Sequence, residues 1–231
     1  LMTCVIMRKI FELFNKKWLG LIAILLYGLS MGAASTVIFL RMYMMITFFG
    51  LTYVYINLRI SKNNLDITKK DKWQLFFTVL LGFLTQYYFS IFALFIFAIM
   101  FIRFIQKKQY KMLRKYIIIH IVTAIVGIIL FPASIYHIFF SYRGAGAGDN
   151  GKTITDAILL YLGRLGEAFS VNNVVMYVLF GAVVIGVLIK LIRKFINRKN
   201  DKTEKLFQYI LLLVPTILYF VFVAKISPVV E

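Results

Sequence analysis

The chain has 231 residues, of which 61% are hydrophobic, 17% aromatic and 16% charged, a balance outside the range of an ordinary soluble domain. Its net charge of +18 would suit nucleic acid if the basic residues shared a soluble surface, but they fall in short runs between apolar stretches, so no nucleic-acid partner is expected. One cysteine, Cys4, excludes an intrachain disulfide and a Cys-based metal cluster, and the class that remains is an all-α, polytopic transmembrane bundle.

In chain order, residues 1–7 read as the tail of an earlier span. The chain starts at Leu1 and stops at Glu231 in the way expected of a piece of a longer protein. After a basic linker with Arg8, Lys9, Lys16 and Lys17 come roughly 42 residues almost free of charge, Trp18 to Arg59. One span takes roughly 20 residues, which predicts two helices with an apex at Met31 to Thr36. A second linker, with Arg59, Lys62, Lys69, Lys70 and Lys72, leads into an apolar run from Trp73 to Ile105. Its two basic flanks predict an even number of crossings, hence two short helices meeting near Thr85, Gln86, Tyr87 and Tyr88.

Tyr116 to Phe131 reads as a span ending at Pro132. Beyond a glycine-rich stretch, Ile154, Ile158, Leu162, Leu165 and Phe169 recur at helical spacing, with Thr153 and Asp156 as a capping box. This predicts an amphipathic helix lying on the membrane surface, inside an outer loop over 141–172. Asn173 to Leu191 and Leu206 to Ala224 complete seven spans, the last expected to kink at Pro215. The whole is read as a single transmembrane domain over 1–231.

Four basic linkers hold most of the 27 Lys and Arg residues, and alternation of the spans puts all four on one face. The other face keeps Arg41, Arg143, Lys152, Arg164 and Lys225. Under the positive-inside rule the basic face is cytoplasmic and the protein is a multi-pass protein of the cell membrane. Arg41, the Thr85 to Tyr88 apex and the 141–172 loop then lie outside.

Arg41 is the first candidate site residue. It sits among apolar residues only a turn or two from an apex, where an arginine either snorkels to the interface or faces a cavity in which its planar fork suits a phosphate. Tyr43, two positions on, points to a different face. Gln86, Tyr87 and Tyr88 stand where an aromatic belt is expected, yet the polar pair Thr85 and Gln86 suits a hydrated cavity better than lipid. Gly146 to Thr153 matches the phosphate-loop spacing, but no strand precedes it and it lies on the outer side, so it reads as a glycine-rich loop. Arg143 and Lys152, in the glycine-rich stretch 141–153, meet anionic headgroups or substrate, or are rim charges. His120 and His137 have no second ligand at metal spacing, and neither a metal nor a cofactor is expected. Asp149, Asp156 and Glu167 are the outer acids, each a general base or a solvated loop charge.

Two short motifs carry a family likeness. Leu40-Arg41-Met42-Tyr43 opening a long span, then Gly82-Phe83-Leu84-Thr85-Gln86-Tyr87-Tyr88-Phe89 after a basic linker, resemble the membrane glycosyltransferases of the GT-C fold related to protein O-mannosyltransferases and the lipid A aminoarabinose transferase. Ile226-Ser227-Pro228 resembles a later stretch of that family. The resemblance implies transfer of a sugar from a polyprenyl-phosphate carrier to an acceptor glycan, lipid or protein on the extracytoplasmic face. It implies that Arg41 helps bind the carrier phosphate and that Tyr43, Gln86, Tyr87 and Tyr88 line the lipid or sugar cavity. Three departures stand beside it. The family's catalytic aspartate would precede Leu1, so the catalytic residue is unknown and this piece alone is expected to be inactive. Ile38 and Phe39 stand where relatives often have Gln-Glu, and Gln86 replaces the usual His. A transporter or flippase of a lipid-linked substrate is the rival reading, since transporter sites also favour interrupted helices.

Overall fold

The computed structural model describes residues 1–38, 43–139, 154–169, 171–196 and 201–226. All regular structure among them is helical: α1 (Met2–Leu13), α2 (Lys17–Gly28), α3 (Met31–Ile38), α4 (Tyr43–Lys62), α5 (Lys69–Thr85), α6 (Phe89–Gln106), α7 (Tyr110–Leu130), α8 (Ala133–Phe139), α9 (Ile154–Ala168), α10 (Asn173–Ile196) and α11 (Asp201–Ile226). The expected all-α class holds. Among the described residues two helices, α6 and α7, are long and apolar enough to cross a membrane, while α2 and the Leu206–Tyr219 part of α11 are apolar but shorter. Only 33% of the α6 window and 22% of the α7 window is buried in the protein, unlike the core helices of a soluble domain. On α7, Ile121, Val122, Ile125 and Ile129 are all exposed. That profile points to association with a membrane.

The hairpin expected over Trp73 to Ile105 is present, with α5 ending at Thr85 and α6 starting at Phe89. The stretch before it differs from expectation. Met31 to Thr36, read as an apex, is helical as part of α3, and the helix is interrupted instead at Leu29 and Ser30. Ser30 is the cause: its hydroxyl accepts the Ala33 amide at 3.1 Å, satisfying one free donor at a new helix start, and Ala33 and Ala34 propagate the helix. Three helices therefore occupy a run expected to hold two, and α2, at 12 residues, is only about 18 Å long. The amphipathic helix is present as α9, but it packs against α3, α10 and α11 and buries Leu162 rather than resting on lipid alone. Its capping Thr153 lies outside the described residues. Helix α11 continues through Pro215, which cannot donate to the carbonyl one turn back.

Three helices end in the same way. After α1, α4 and α6 the chain enters the left-handed region, at Asn15 (φ 54°), at Asn64 (φ 51°) followed by Leu65 (φ 64°), and at Lys108 (φ 55°). The next amide then bonds back to a carbonyl of the last turn: Lys16 to Phe11, Leu65 to Ile60 and Gln109 to Phe104. These are Schellman closures, which satisfy end carbonyls and reverse the chain within a few residues. The three closed ends meet. Lys62 Nζ donates to the Leu13 carbonyl at 2.9 Å, Phe14 stacks on Tyr209 near the start of α11, and the Arg103 guanidinium lies 4.6 Å from the Phe207 ring centre. The basic linkers after α1, α4 and α6 are thereby gathered at one end of the bundle, with cations at helix C-termini where the backbone dipole favours them.

Helix α4 is the centre, with Tyr53, Ile56, Leu58 and Ile60 almost wholly buried and α1, α5, α6 and α11 around it. Its basic end is tied to α5. Asp71, 4% exposed, closes a capping box with Thr68 and accepts from the Arg59 guanidinium, which also reaches Gln74 Oε1 at 2.5 Å. Burial by itself would raise the Asp71 carboxyl, but the hydrogen bonds from Thr68 and Arg59 outweigh it and hold the group below its ordinary 3.8. A carboxyl depressed on folding stabilises the fold above its unfolded value, and that contribution is lost as pH falls through the folded value. The melting temperature of the detergent-solubilised protein is therefore expected to be insensitive to this group from neutral pH down to about 5 and to drop below 3.8. Asp71→Asn should lower stability by about 2 kcal/mol at neutral pH, between exposed and buried pairs, and flatten the acid limb; an unchanged acid limb would refute the assignment.

Candidate functional site

Of the residues singled out from sequence, Arg41 and Arg143 lie outside the described residues, and Tyr43 opens α4 with its side chain outside them. Gln86, Tyr87 and Tyr88 are described, and they form the whole turn between α5 and α6. The turn is tight because of a glycine. A Cβ on Gly82 would lie 2.6 Å from the Phe89 ring, so only glycine lets the first residue of α6 fold back onto the last turn of α5. The Gln86 carbonyl accepts the Phe89 amide at 2.9 Å, and Ser90 Oγ donates to the Tyr87 carbonyl at 2.5 Å. Tyr87 and Tyr88 are thus held side by side, centroids 4.5 Å apart and half-buried.

The turn has a neighbour that sequence reading missed. Beyond Pro132, α8 brings His137 to Tyr87, with rings 12° from parallel and centroids 6.1 Å apart. No sequence signal links positions 87 and 137. They meet because α5 and α7 pack together, with Gly127 of α7 admitting the Phe83 ring of α5 to about 3.0 Å from where a Cβ would stand.

A second polar group lies deeper, between α4 and α7. The His120 Nδ1 lies 2.8 Å from the Tyr116 carbonyl and, since a carbonyl can only accept, carries the proton. In the neutral ring Nε2 then accepts from the Tyr53 hydroxyl at 2.7 Å. Tyr116 donates to Asn57 Oδ1 at 2.7 Å, and Asn57 Nδ2 donates to the Tyr53 carbonyl at 2.8 Å. Phe97 stacks on Tyr116, and Phe104 packs against it. His120 is thus engaged by two tyrosines, and among the described residues no three His, Cys, Asp or Glu side chains gather as a metal site would need. The polar pairs 53/57 and 116/120, each four residues apart, were visible in the sequence as one-face pairs on apolar helices.

The third feature is a cavity of about 760 Å³ between α1, α2, α4, α6, α9, α10 and α11. Ile46, Gly50 and Val54 form its α4 wall, with Phe89 and Phe92 of α6 and Leu212 of α11 facing them. The side chains with polar groups are Lys16, Thr47, Tyr209, Thr216 and Tyr219. Its volume falls in the ~300–1,000 Å³ range of ligand pockets, and so apolar a lining favours hydrocarbon. Gly50 leaves the wall open, since a Cβ there would sit at an ordinary 3.6 Å from Phe92.

Comparison of the chain with protein families, with curated proteins and with solved structures finds no match.

Two substitutions test these contacts. Gly82→Ala must push Phe89 out of its seat and is expected to cost about 1–3 kcal/mol as overpacking, read as a lower melting temperature in detergent; a neutral result would mean that the turn is not closed on Gly82. Tyr116→Phe removes the donor to Asn57 and is expected to cost about 0.6–2 kcal/mol, whereas Phe104→Tyr, outside the network, should not rescue it.

Proposed function

We propose that this chain is part of a multi-pass membrane protein that holds a lipid-linked substrate, and that the complete protein is a glycosyltransferase moving a sugar from a polyprenyl-phosphate carrier to an acceptor on the extracytoplasmic face. The observation that carries the reading is the apolar cavity along α4. Arg41 precedes α4 by two positions, and Ile46 and Thr47, little more than a turn further on, already line the cavity. The hydrocarbon-lined space that would take the carrier's chain thus has an α4 wall that begins five residues after Arg41 in the sequence. The Arg-Met-Tyr and Thr-Gln-Tyr-Tyr motifs supply the sugar-transfer chemistry by resemblance, and the basic linkers gathered at one end supply a cytoplasmic face by the positive-inside rule.

On this reading the chain's own residues bind and orient. Arg41 pairs with the phosphate through two parallel N–H donors, the cavity takes the isoprenoid chain out of the bilayer, and the α5–α6 turn faces the sugar. A second reading, a transporter or flippase of the same substrate, is favoured by one feature: the lining reaches from Lys16 at the basic end to Phe89 at the opposite end, so a chain could pass along the bundle.

The test uses the complete protein in membranes, with radiolabelled polyprenyl-phosphate sugar followed both into acceptor and across the bilayer. Arg41→Ala is expected to lower transfer at least about tenfold, the equivalent of ~1.4 kcal/mol. Gly50→Leu, whose extra carbons enter the cavity without a backbone clash, should raise KM for a long-chain carrier more than for a short-chain one. Label that only changes leaflet would replace the transferase with the flippase, and transfer indifferent to both substitutions would remove the cavity and Arg41 from the donor site.

A further inference from the structure

At the basic end of the bundle, where α4 passes into α5, a polar pocket of about 440 Å³ is lined by Arg59, Lys62, Asn63, Thr68, Lys70 and Asp71. Its walls are held by the chain itself. Asn64 and Leu65 take left-handed conformations, the Leu65 amide returns to the Ile60 carbonyl at 2.9 Å, and Leu65 and Ile67 are buried. Three cations and one acid share the lining. Asp71 is already engaged by Thr68 and Arg59, and Arg59 uses a single nitrogen, Nη2, for both Asp71 and Gln74. Lys62 gives one donor to the Leu13 carbonyl, and an ammonium has two more. Lys70 is exposed and has no partner among the described residues. The pocket therefore carries positive charge that the protein leaves uncompensated.

A second observation joins this pocket to a bilayer. From Lys70 onward, Trp73, Phe77, Leu81 and Leu84 follow at steps of three and four residues, one stripe along α5, and all four are exposed, Trp73 by 63%. The Trp73 and Phe77 rings stack with centroids 5.8 Å apart. From Trp73 to Leu84 the stripe is about 16 Å long, close to the ~15 Å of hydrocarbon in one leaflet. A tryptophan between a lysine and an apolar stripe stands where headgroups give way to acyl chains. A free anion would leave the stripe unused. A zwitterionic lipid brings its own ammonium toward Lys62 and Lys70, and like charges repel. A glycerophospholipid of net negative charge suits both parts, its phosphate taking donors from Lys62, Lys70 and the Asn63 amide while an acyl chain covers Trp73 and Phe77.

We propose that this pocket and the α5 stripe form a site for one anionic glycerophospholipid of the leaflet at the basic end. The site rests on the membrane part of the reading above and is independent of sugar transfer.

The experiment places the complete protein in vesicles of phosphatidylcholine with about one-fifth phosphatidylglycerol, bromine being carried on the acyl chains of one lipid or of the other. Bromine quenches a tryptophan that it touches, and the Trp73 signal is the difference from Trp73→Phe. Brominated phosphatidylglycerol is expected to quench Trp73 beyond its share of the lipid, with a preference over phosphatidylcholine that Lys70→Gln lowers about fivefold and Lys70→Arg largely keeps. Lys69→Gln removes the same charge one position outside the lining and is expected to leave the preference unchanged. Both lysines are exposed, so an equal melting temperature is the folding control. Quenching by each lipid in proportion to its amount, or Lys69→Gln acting as Lys70→Gln does, overturns the site and leaves the membrane reading in place. Excess quenching that millimolar glycerol phosphate abolishes assigns the pocket to a free anion and overturns the lipid. Trp73 unquenched by either lipid removes the membrane reading from this face, and the site with it.

Discussion

The hydrogen bonds among Tyr53, Asn57, Tyr116 and His120 decide how α4 is turned, and most of the molecule follows from that rotation. An apolar helix packed among apolar helices has little to choose between one azimuth and another, because sliding Leu for Ile changes the packing energy by a small amount. Polar groups out of water are less forgiving, since each one turned from its partner is left unsatisfied. Gly50 lies seven residues before Asn57, two helical turns away on nearly the same side. The network that holds Asn57 toward α7 therefore also sets which wall of the cavity Gly50 forms.

The two ends of the bundle are built by opposite means. At the basic end the chain reverses through Schellman closures at Asn15, Asn64 and Lys108, and charge holds the ends together through Lys62, Arg59 and Asp71. Asp71, buried, is compensated by Arg59 and Thr68 rather than by water. At the other end charge is scarce among the described residues, and the turn between α5 and α6 is secured by shape, with Gly82 yielding to Phe89 and rings laid against rings.

Much of this was legible in sequence where the signal was local. The hairpin turn at Thr85 to Tyr88 could be placed because basic flanks and a polar pair mark it, and α9 because its apolar residues recur every three or four positions. The apex at Met31 to Thr36 was misread since Gly, Ala and Ser were taken as breakers; in an apolar setting Ala33 and Ala34 are good helix formers, and the decisive residue was the cap, Ser30. The Thr68 to Asp71 capping box is equally legible, an acid three positions after a threonine at a helix start. What could not be read was everything that depends on which helices are neighbours. The meeting of His137 with Tyr87 needs α5 packed on α7, and the cavity needs seven helices placed at once. Arg41, the residue most conspicuous in the sequence, is informative there because its cost in lipid is intrinsic to the side chain and needs no neighbour to be recognised.

Phe89 ties the separate features into one device. Its ring rests on Gly82 and so fixes the turn that carries Tyr87 and Tyr88; it meets Tyr53, a member of the buried network, edge-on at 6.4 Å; and it also lines the cavity. A substitution at position 89 would therefore disturb the turn, the buried network and the cavity wall together, and the glycine at position 82 is what admits the ring where it can bear on all three.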